Sequence, residues 1–283
     1  MDNNIKTYSL LAAIIALFVL IGGLIGGKDG MIIAFIFAVI LNFSAYWFSK
    51  DMVLRMYNAQ EINPQTSPEI YHMIQELAIR AHLPTPEIYI INEVQPNAFA
   101  TGRDPNNAAI AFTIGILNLL DYEELQAVAA HEMSHIRNRD TLISTVAAIV
   151  AGSIAALANF ALIFGSRDEN GRSNIIFGIL IAILAPIAAS IIQLAISRSR
   201  EYMADEGAAW LTNNPQALAR ALIKIENHAH NVYMKPAQEN PATAQMMIIN
   251  PLSGNSDNLF STHPNIQNRI ERLKEIAKHM GQI

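Results

Sequence analysis

The sequence predicts a mainly α-helical membrane protein with four transmembrane helices and a split cytoplasmic α+β domain. Three observations predict this fold class. Of the 283 residues, 52% are hydrophobic and 15% are charged, whereas an average soluble domain has about 25% charged residues. The hydrophobic residues are concentrated in four long runs. The residues outside these runs show helix and strand patterns that are typical of a water-exposed domain.

The four apolar runs are each long enough to cross a membrane as a helix, which requires roughly 18–20 residues for a hydrocarbon core of about 30 Å. The runs are Tyr8 to Gly27, Met31 to Phe48, Leu142 to Gly165 and Ile175 to Ile196. Buried helices of a large soluble protein are one alternative, and a cleaved signal peptide is another for the first run. Four such runs in one short chain argue against the former, and the first run has no clear A-x-A cleavage site.

Lysine and arginine residues near the ends of the runs predict the orientation, because these residues are enriched on the cytoplasmic side. Seven of them lie on one side: Lys6, Lys50, Arg55, Arg137, Arg139, Arg198 and Arg200. Three lie on the other side: Lys28, Arg167 and Arg172. We therefore expect both termini and the large loops in the cytoplasm.

The chain then divides into four predicted parts. Residues 1–48 are a membrane anchor with the first two transmembrane helices, and residues 142–196 contain the third and fourth. Residues 49–141 and 197–283 are cytoplasmic and can form one split domain. The net charge of −5, without a basic stripe, argues against nucleic acid as a partner. The absence of cysteine excludes disulfides and thiolate metal ligands.

Helix and strand patterns place the polar residues within the cytoplasmic parts. The predicted helices are Pro68 to His82, a helix from Tyr122 into the third span, Pro215 to His228, and Pro264 to Lys278. The predicted strands are Glu87 to Ile91 and Ala108 to Leu117, and the region from Asn231 to Ser261 is predicted to be loop. Asp121 and the two glutamates after Tyr122 form a typical helix start. We expect the second strand to offer an edge to which an extended peptide can add.

Residues 131–135 read His-Glu-Met-Ser-His and lie on the helix that begins at Tyr122. Histidines at positions i and i+4 project from one helix face and can bind a single zinc ion. Glu132, beside the first histidine, can reach the position where zinc binds and acidifies a water molecule, and can take its proton. The alternative is a solvated polar helix whose histidines bind nothing. The motif is strong evidence for a metal-dependent hydrolase.

A catalytic zinc ion usually has three protein ligands. The candidates for the third are Glu201, Asp205, Glu206, His228, His230 and His263. Membrane geometry favours Glu201. His135 precedes the third span and Glu201 follows the fourth by similar numbers of residues, so both should stand roughly 8–10 Å above the same membrane face. The alternative is an ordinary charge cluster at the membrane interface.

Asp205 and His263 are further candidate site residues. Asp205 lies four residues after Glu201, on the same helix face, where its carboxylate can accept a hydrogen bond from a ligating imidazole. His263 precedes Pro264 at the start of a predicted helix. If this loop covers the site, the imidazole can stabilise the oxyanion of a tetrahedral intermediate. A histidine at a helix start is otherwise simply exposed.

Three stretches resemble the HtpX proteases, which are bacterial and archaeal membrane zinc endopeptidases related to the CAAX prenyl proteases. They are residues 96–102 (PNAFATG), 130–140 (AHEMSHIRNRD) and 197–205 (SRSREYMAD). The order of spans and motifs also matches, so the resemblance covers essentially the whole chain. Met133 stands where many relatives carry leucine, a residue of similar volume.

The resemblance implies a zincin-like catalytic domain that holds one Zn²⁺ per chain through His131, His135 and Glu201, with Glu132 as general base. It also implies that Asn97 and His263 border the substrate cleft. The expected activity is hydrolysis of misfolded or damaged membrane proteins at the cytoplasmic face of the bacterial plasma (inner) membrane. Polypeptides and the lipid bilayer are thus the expected partners.

Two other functions remain open from the sequence. A processing protease of the prenyl type would cleave few substrates, whereas a quality-control protease cleaves many unrelated unfolded proteins. A zinc transporter or sensor would use the same ligands without cleaving anything. Transporter ligands normally lie within the spans, yet His131, His135 and Glu201 lie outside the predicted spans, and a transporter does not require Glu132.

Overall fold

The computed structural model describes residues 3–164, 190–191, 197–229, 232–252 and 264–282. The helices are α1 (Asn3–Met56), α2 (Pro68–Ala81), α3 (Ile114–Leu119), α4 (Tyr122–Arg137), α5 (Asp140–Phe164), α6 (Arg198–Thr212), α7 (Pro215–Ala229), α8 (Lys235–Glu239) and α9 (Ile266–His279). The strands are β1 (Gln60–Ile62), β2 (Glu87–Ile91), β3 (Ala98–Gly102) and β4 (Ala108–Thr113). Short 3₁₀ helices cover Pro105–Asn107 and Pro241–Met246.

Helix α1 is two helices joined at a sharp kink. Gly26 and Gly27 have non-helical dihedral angles, and Gly27 has a φ of 59°, which favours glycine. The two halves then pack closely, because a Cβ atom on Gly30 would lie 2.2 Å from the carbonyl oxygen of Gly22. The side chain of Asn42 donates a hydrogen bond to the carbonyl of Leu11 at 2.8 Å. The kink therefore lies at the end of the first apolar run.

One helix among the described residues, Gly26–Met56, is long and apolar enough to cross a membrane. The helices Thr7–Gly23 and Asp140–Ala155 are apolar but shorter. The predicted run from Ile175 to Ile196 lies outside the described residues except for residues 190–191. The described part of the chain therefore shows a single clear span, and the other three predicted spans stay predictions.

The four strands form one mixed sheet in the order β1-β2-β4-β3. Strand β2 pairs with β4 in parallel, whereas β1 and β3 are antiparallel to their neighbours. The predicted strand from Ala108 to Leu117 ends early, because the side chain of Thr113 accepts a hydrogen bond from the Ile116 backbone and starts α3. The expectation that this strand offers a free edge is wrong, since β4 lies between β2 and β3.

Both faces of the sheet are covered, which explains why β3 and β4 are buried along their whole length. Side chains alternate between the faces of a strand. Ile110 and Phe112 point into a core built with α2, α4, α6, α7 and α9. Ala109 and Ala111 point the other way, into a second core built with α1, α5 and the segment around Met247. The sheet thus joins the apolar helices α1 and α5 to the helices that carry the polar motifs.

Two predicted elements differ from the structure. The helix from Tyr122 does not continue into the third span, because α4 ends at Arg137 and α5 begins at Asp140. Arg139, between them, has a φ of 57°, so the chain changes direction there. The predicted loop after Asn231 contains α8 and a 3₁₀ helix, while residues 253–263 lie outside the described residues.

Candidate metal centre

Helix α4 presents the two histidines of the motif inside the protein. Its start is fixed by a capping box, in which Asp121 and Glu124 each accept a hydrogen bond from the other's backbone N–H. Ten residues later, His131 is fully buried, and His135 is partly exposed. Their Nε2 atoms lie 3.2 Å apart. The spacing of four residues therefore directs both ring nitrogens to one point, as predicted.

Glu201 of α6 completes this cluster. One of its carboxylate oxygens lies 3.6 Å from Nε2 of His131, and the other lies 3.5 Å from Nε2 of His135. One ligand atom from each residue can be chosen so that all lie within 4.8 Å of one another. Two imidazole nitrogens and one carboxylate oxygen form a donor set that suits a transition-metal ion such as zinc. The residues therefore fit the predicted metal.

Small residues allow α4 and α6 to approach closely enough for this convergence. A Cβ atom on Gly207 would lie 2.4 Å from Oγ of Ser134. The hydroxyl of Ser134 donates to the carbonyl of Ala130 at 2.8 Å, so this side chain is folded back onto its own helix. Ala204 and Ala208 on α6 are completely buried. The small residues of the AxxGA segment, residues 204–208, thus allow α6 to approach α4, which brings Glu201 towards the histidines.

Asp205 contacts His131 on the side away from the cluster, as predicted. Its Oδ1 atom lies 3.0 Å from Nδ1 of His131. A proton on Nδ1 that is held by this carboxylate leaves the lone pair of Nε2 for a metal ion. Burial raises the pKa of Asp205, but Arg269 outweighs this effect and holds the pKa below its usual range. Asp205 is therefore ionised and can orient the imidazole.

Arg269 was not identified from the sequence. This residue on α9 is fully buried, and its guanidinium donates two hydrogen bonds to the Asp205 carboxylate at 2.8 and 2.7 Å. It also donates to the carbonyl of Ile248 at 3.3 Å. The sequence does indicate that Arg269 is unusual. It lies four residues before Leu273 and seven before Ile276, on the apolar face of its helix. A lone charge on such a face indicates a buried partner.

Asp140 was also missed, and it contacts the second histidine. Its Oδ2 atom lies 3.1 Å from Nδ1 of His135. Its Oδ1 atom lies 3.7 Å from Nε of Arg200. Each histidine therefore has an aspartate behind it, and each aspartate has an arginine beside it. Asp140 escaped prediction because a helix that continued through residue 139 would carry it away from His135.

Glu132 lies between the histidines in the sequence and is buried. Burial is the largest influence on its carboxyl group and raises the pKa above its usual range, against the lowering effect of His131 and His135. The backbone of Ala100 also lowers the pKa of this carboxylate, but burial outweighs it. A carboxylate with a raised pKa, beside a metal site, is suited to accept and return a proton.

The protonation of His131 is coupled to metal binding. Burial alone lowers its pKa, but the hydrogen bonds with Asp205 and Glu201 outweigh burial and raise the pKa to about 9. At neutral pH a metal ion must therefore displace a proton from this imidazole. Metal affinity falls as the pH drops, because the proton and the metal compete for the same ring.

The remaining predicted residues lie in different places. Asn97 is buried, and its side chain donates to the carbonyl of Ile249 at 2.9 Å, which holds the segment after Met246 beside β3. Its role at the substrate cleft stays a prediction. His263 lies outside the described residues. Of the other ligand candidates, Glu206 and His228 are exposed and do not belong to the cluster, and His230 also lies outside the described residues.

Comparison with known proteins identifies the family. The model of peptidase family M48 matches residues 64–277. This chain belongs to that family. It is 58% identical over 280 residues to the protease HtpX homolog of Burkholderia thailandensis (strain ATCC 700388), covering 98% of both chains. It is 57% identical, with the same coverage, to the protease HtpX homolog of Burkholderia mallei (strain SAVP1).

The fold of this M48 protease is also similar to a solved one. The crystal structure of S. mikatae Ste24p matches with a TM-score of 0.50 and 22% identity. The match covers 96% of this chain and 65% of that one. The likeness supports the helical fold with its small sheet. The chain is thus an HtpX-type membrane metalloprotease, its substrates are polypeptides, and the resemblance to the HtpX proteases is confirmed.

Proposed function

We propose that this M48 protease is a zinc-dependent endopeptidase that hydrolyses misfolded or damaged membrane proteins at the cytoplasmic face of the bacterial plasma membrane. The observation that supports the chemistry is the convergence of His131, His135 and Glu201, with Glu132 buried beside them. The described helix Gly26–Met56 supports membrane attachment. The resemblance to HtpX proteases supports the quality-control role.

In this proposal His131, His135 and Glu201 hold one zinc ion per chain. Zinc, when bound, polarises the scissile carbonyl and acidifies a water molecule. The aspartates behind the two histidines fix the ring orientations, so that both Nε2 atoms keep facing Glu201. In the described part of the chain, these contacts therefore hold both imidazole rings in place.

Glu132 is the proton carrier of the reaction. Its carboxylate accepts the proton of the attacking water and delivers it to the leaving amine as the peptide bond breaks. Burial keeps competing bulk water away from this carboxylate. His263 is the candidate for the oxyanion contact, as the family resemblance implies.

The outer edge of β3 is the proposed contact for the substrate backbone. Ala98 directs its carbonyl away from β4, where it accepts a hydrogen bond from the Ile248 N–H, and Ala100, two residues later, faces the same way. The backbone of Ala100 is close enough to Glu132 to lower the pKa of its carboxyl group. Phe99 and Met247 form an isolated antiparallel bridge at the start of this edge. An extended peptide that pairs with the rest of the outer edge of β3 lies beside Glu132. Backbone pairing also tolerates many side chains, which suits a quality-control protease.

We further propose that the chain has four spans, that residues 49–141 and 197–283 form its cytoplasmic catalytic parts, and that residues 1–48 and 142–196 lie in the membrane. The excess of Lys and Arg on one side supports this orientation. A cysteine introduced at Asn106 should be shielded from impermeant thiol reagents in intact cells, while a cysteine at Asn170 should react. The reverse labelling pattern would show that the topology is inverted.

Removing the metal should abolish proteolysis. The detergent-purified protein is expected to contain about one zinc ion per chain, because the described residues show one complete ligand set. Treatment with a chelator, followed by dialysis, should stop cleavage of an unfolded membrane protein, and added Zn²⁺ should restore it. Metal content measured on the same samples links the two effects. Full activity without metal would refute the zinc-dependent mechanism.

A further inference from the structure

The contacts of Asp140 connect the metal centre to both neighbouring helices. Asp140 is buried and begins α5, yet its carboxylate reaches back to His135, 3.1 Å away, near the end of α4. Its other oxygen faces Arg200, 3.7 Å away, at the start of α6. Arg200 directly precedes Glu201. One aspartate therefore contacts the second histidine and the helix that carries the candidate third ligand.

The backbone between α4 and α5 makes this contact possible. In a continuous helix a residue five positions after His135 would be rotated by about 140° around the axis and could not face it. The helix instead stops at Arg137, and Arg139 adopts a left-handed conformation with a φ of 57°. Such a conformation is costly for a residue with a side chain and is often found at functional sites. Here it places Asp140 behind His135.

Arg200 is a buried cation that pairs with Asp140. Only 5% of the residue is exposed, and within the described part of the chain its Nη2 atom has no hydrogen-bond partner. Burying a cation is unfavourable unless an anion compensates for it. Asp140 supplies that compensation through the ion pair, and the charge of the neighbouring Glu201 adds to it. The pair in turn links the first turn of α6 to the turn between α4 and α5.

We infer that Asp140 and Arg200 are positioning residues for the metal centre: Asp140 holds His135 in the ring orientation that directs Nε2 to the metal, and Arg200 holds Asp140. This inference rests on the proposed function, because it assumes that His135 is a metal ligand. The two residues touch neither substrate nor metal. Their effect reaches the site through one imidazole ring and through the position of the helix that carries Glu201.

The first test measures zinc affinity by competition with a chromophoric chelator, using the full-length protein in detergent. Asp140→Ala should lower the affinity by about 10–100-fold, the usual effect of losing the carboxylate behind a ligating histidine. Asp140→Asn keeps an oxygen that accepts the Nδ1 proton, so this variant should retain most of the wild-type zinc affinity. A purely structural role would not distinguish the two variants in this way.

A double-mutant cycle tests whether Arg200 acts through Asp140. Arg200→Gln alone should weaken zinc binding by about tenfold, within the range for outer contacts of metal ligands. In the Asp140→Ala background the same change should have almost no further effect, because residues in one network are not additive. Equal effects in both backgrounds would show that Arg200 does not act through Asp140, and would overturn that half of the inference.

Asp121→Ala is the matched control, because it removes an aspartate that caps the ligand-bearing helix far from the histidines. It should lower the unfolding temperature and leave zinc affinity unchanged. If it weakened zinc binding as much as Asp140→Ala does, helix stability would explain both effects and the inference would be overturned. If Asp140→Ala bound zinc as tightly as the wild type, this inference alone would fail. A wild-type protein that binds no zinc would instead refute the proposed function.

Discussion

Replacing Glu132 with glutamine should lower the rate of proteolysis by about 10²–10⁴-fold, the usual contribution of a positioned proton carrier. Glutamine has nearly the same shape, so the packing of α4 should be preserved. It cannot accept the proton of the attacking water. Zinc content should therefore stay close to that of the wild type, because Glu132 does not belong to the ligand cluster.

The measurement combines metal analysis with cleavage of an unfolded membrane protein, both on the same preparation. Glu123→Gln is the control, since this side chain on the same helix is 66% exposed and pairs only with Arg220 and Asn214 among the described residues. It should retain both zinc and activity. A Glu132→Gln variant that cleaves at the wild-type rate would show that another group carries the proton.

The sequence was sufficient to predict contacts between residues that are close together in the chain. The His131 and His135 pair depends only on helical periodicity, and the start of α4 depends on Asp121 and the glutamates beside it. Glu201 required one longer step, which was the comparison of heights above the membrane. The structure brings all three ligand candidates together. Helical periodicity was therefore enough for the histidine pair, whereas the comparison of heights that pointed to Glu201 rests on two spans that stay predictions.

Arg269 and Asp140 were not predicted, because their contacts depend on tertiary packing. Arg269 reaches Asp205 across 64 residues of sequence. Asp140 reaches His135 only because Arg139, a residue type without a turn preference, takes a left-handed conformation and breaks the helix. Strand β3 is a short stretch, Ala98 to Gly102, in which two alanines and a glycine carry little strand propensity. It forms because β4 pairs with it and both faces are covered.

The order of the sheet had the most direct consequence for function. The sequence suggested a peptide-binding edge on the strand from Ala108, but this strand is central. Strand β3 is an edge strand, and the backbone of its residue Ala100 is close enough to Glu132 to lower the pKa of that carboxyl group. The correction places the proposed substrate backbone next to the proton carrier. It also gives Asn97 a physical role, because its hydrogen bonds with Ile249 hold the segment that closes the start of this edge.

Substitution of Glu201 should weaken zinc binding, unlike substitution of Glu132, because Glu201 lies in the ligand cluster. Glu201→Ala removes the only carboxylate oxygen from this donor set. Zinc affinity should fall by more than about 100-fold, since losing a ligand exceeds the cost of losing an outer contact. Glu201→Gln leaves a neutral and weaker oxygen donor, so its zinc affinity should fall less than that of Glu201→Ala.

The two glutamine variants can then be compared at increasing zinc concentration, with chelator competition and proteolysis measured together. Activity of Glu201→Gln should recover partly at high zinc, because the proton carrier is intact, whereas Glu132→Gln should not recover at all. Glu206→Gln is the matched control, since this exposed glutamate lies on the same helix and outside the cluster. If Glu201→Gln and Glu201→Ala both bound zinc as tightly as the control, Glu201 would not be the third ligand. Asp205 is already held by Arg269 and His131, so His263 would then become the leading candidate for the third ligand.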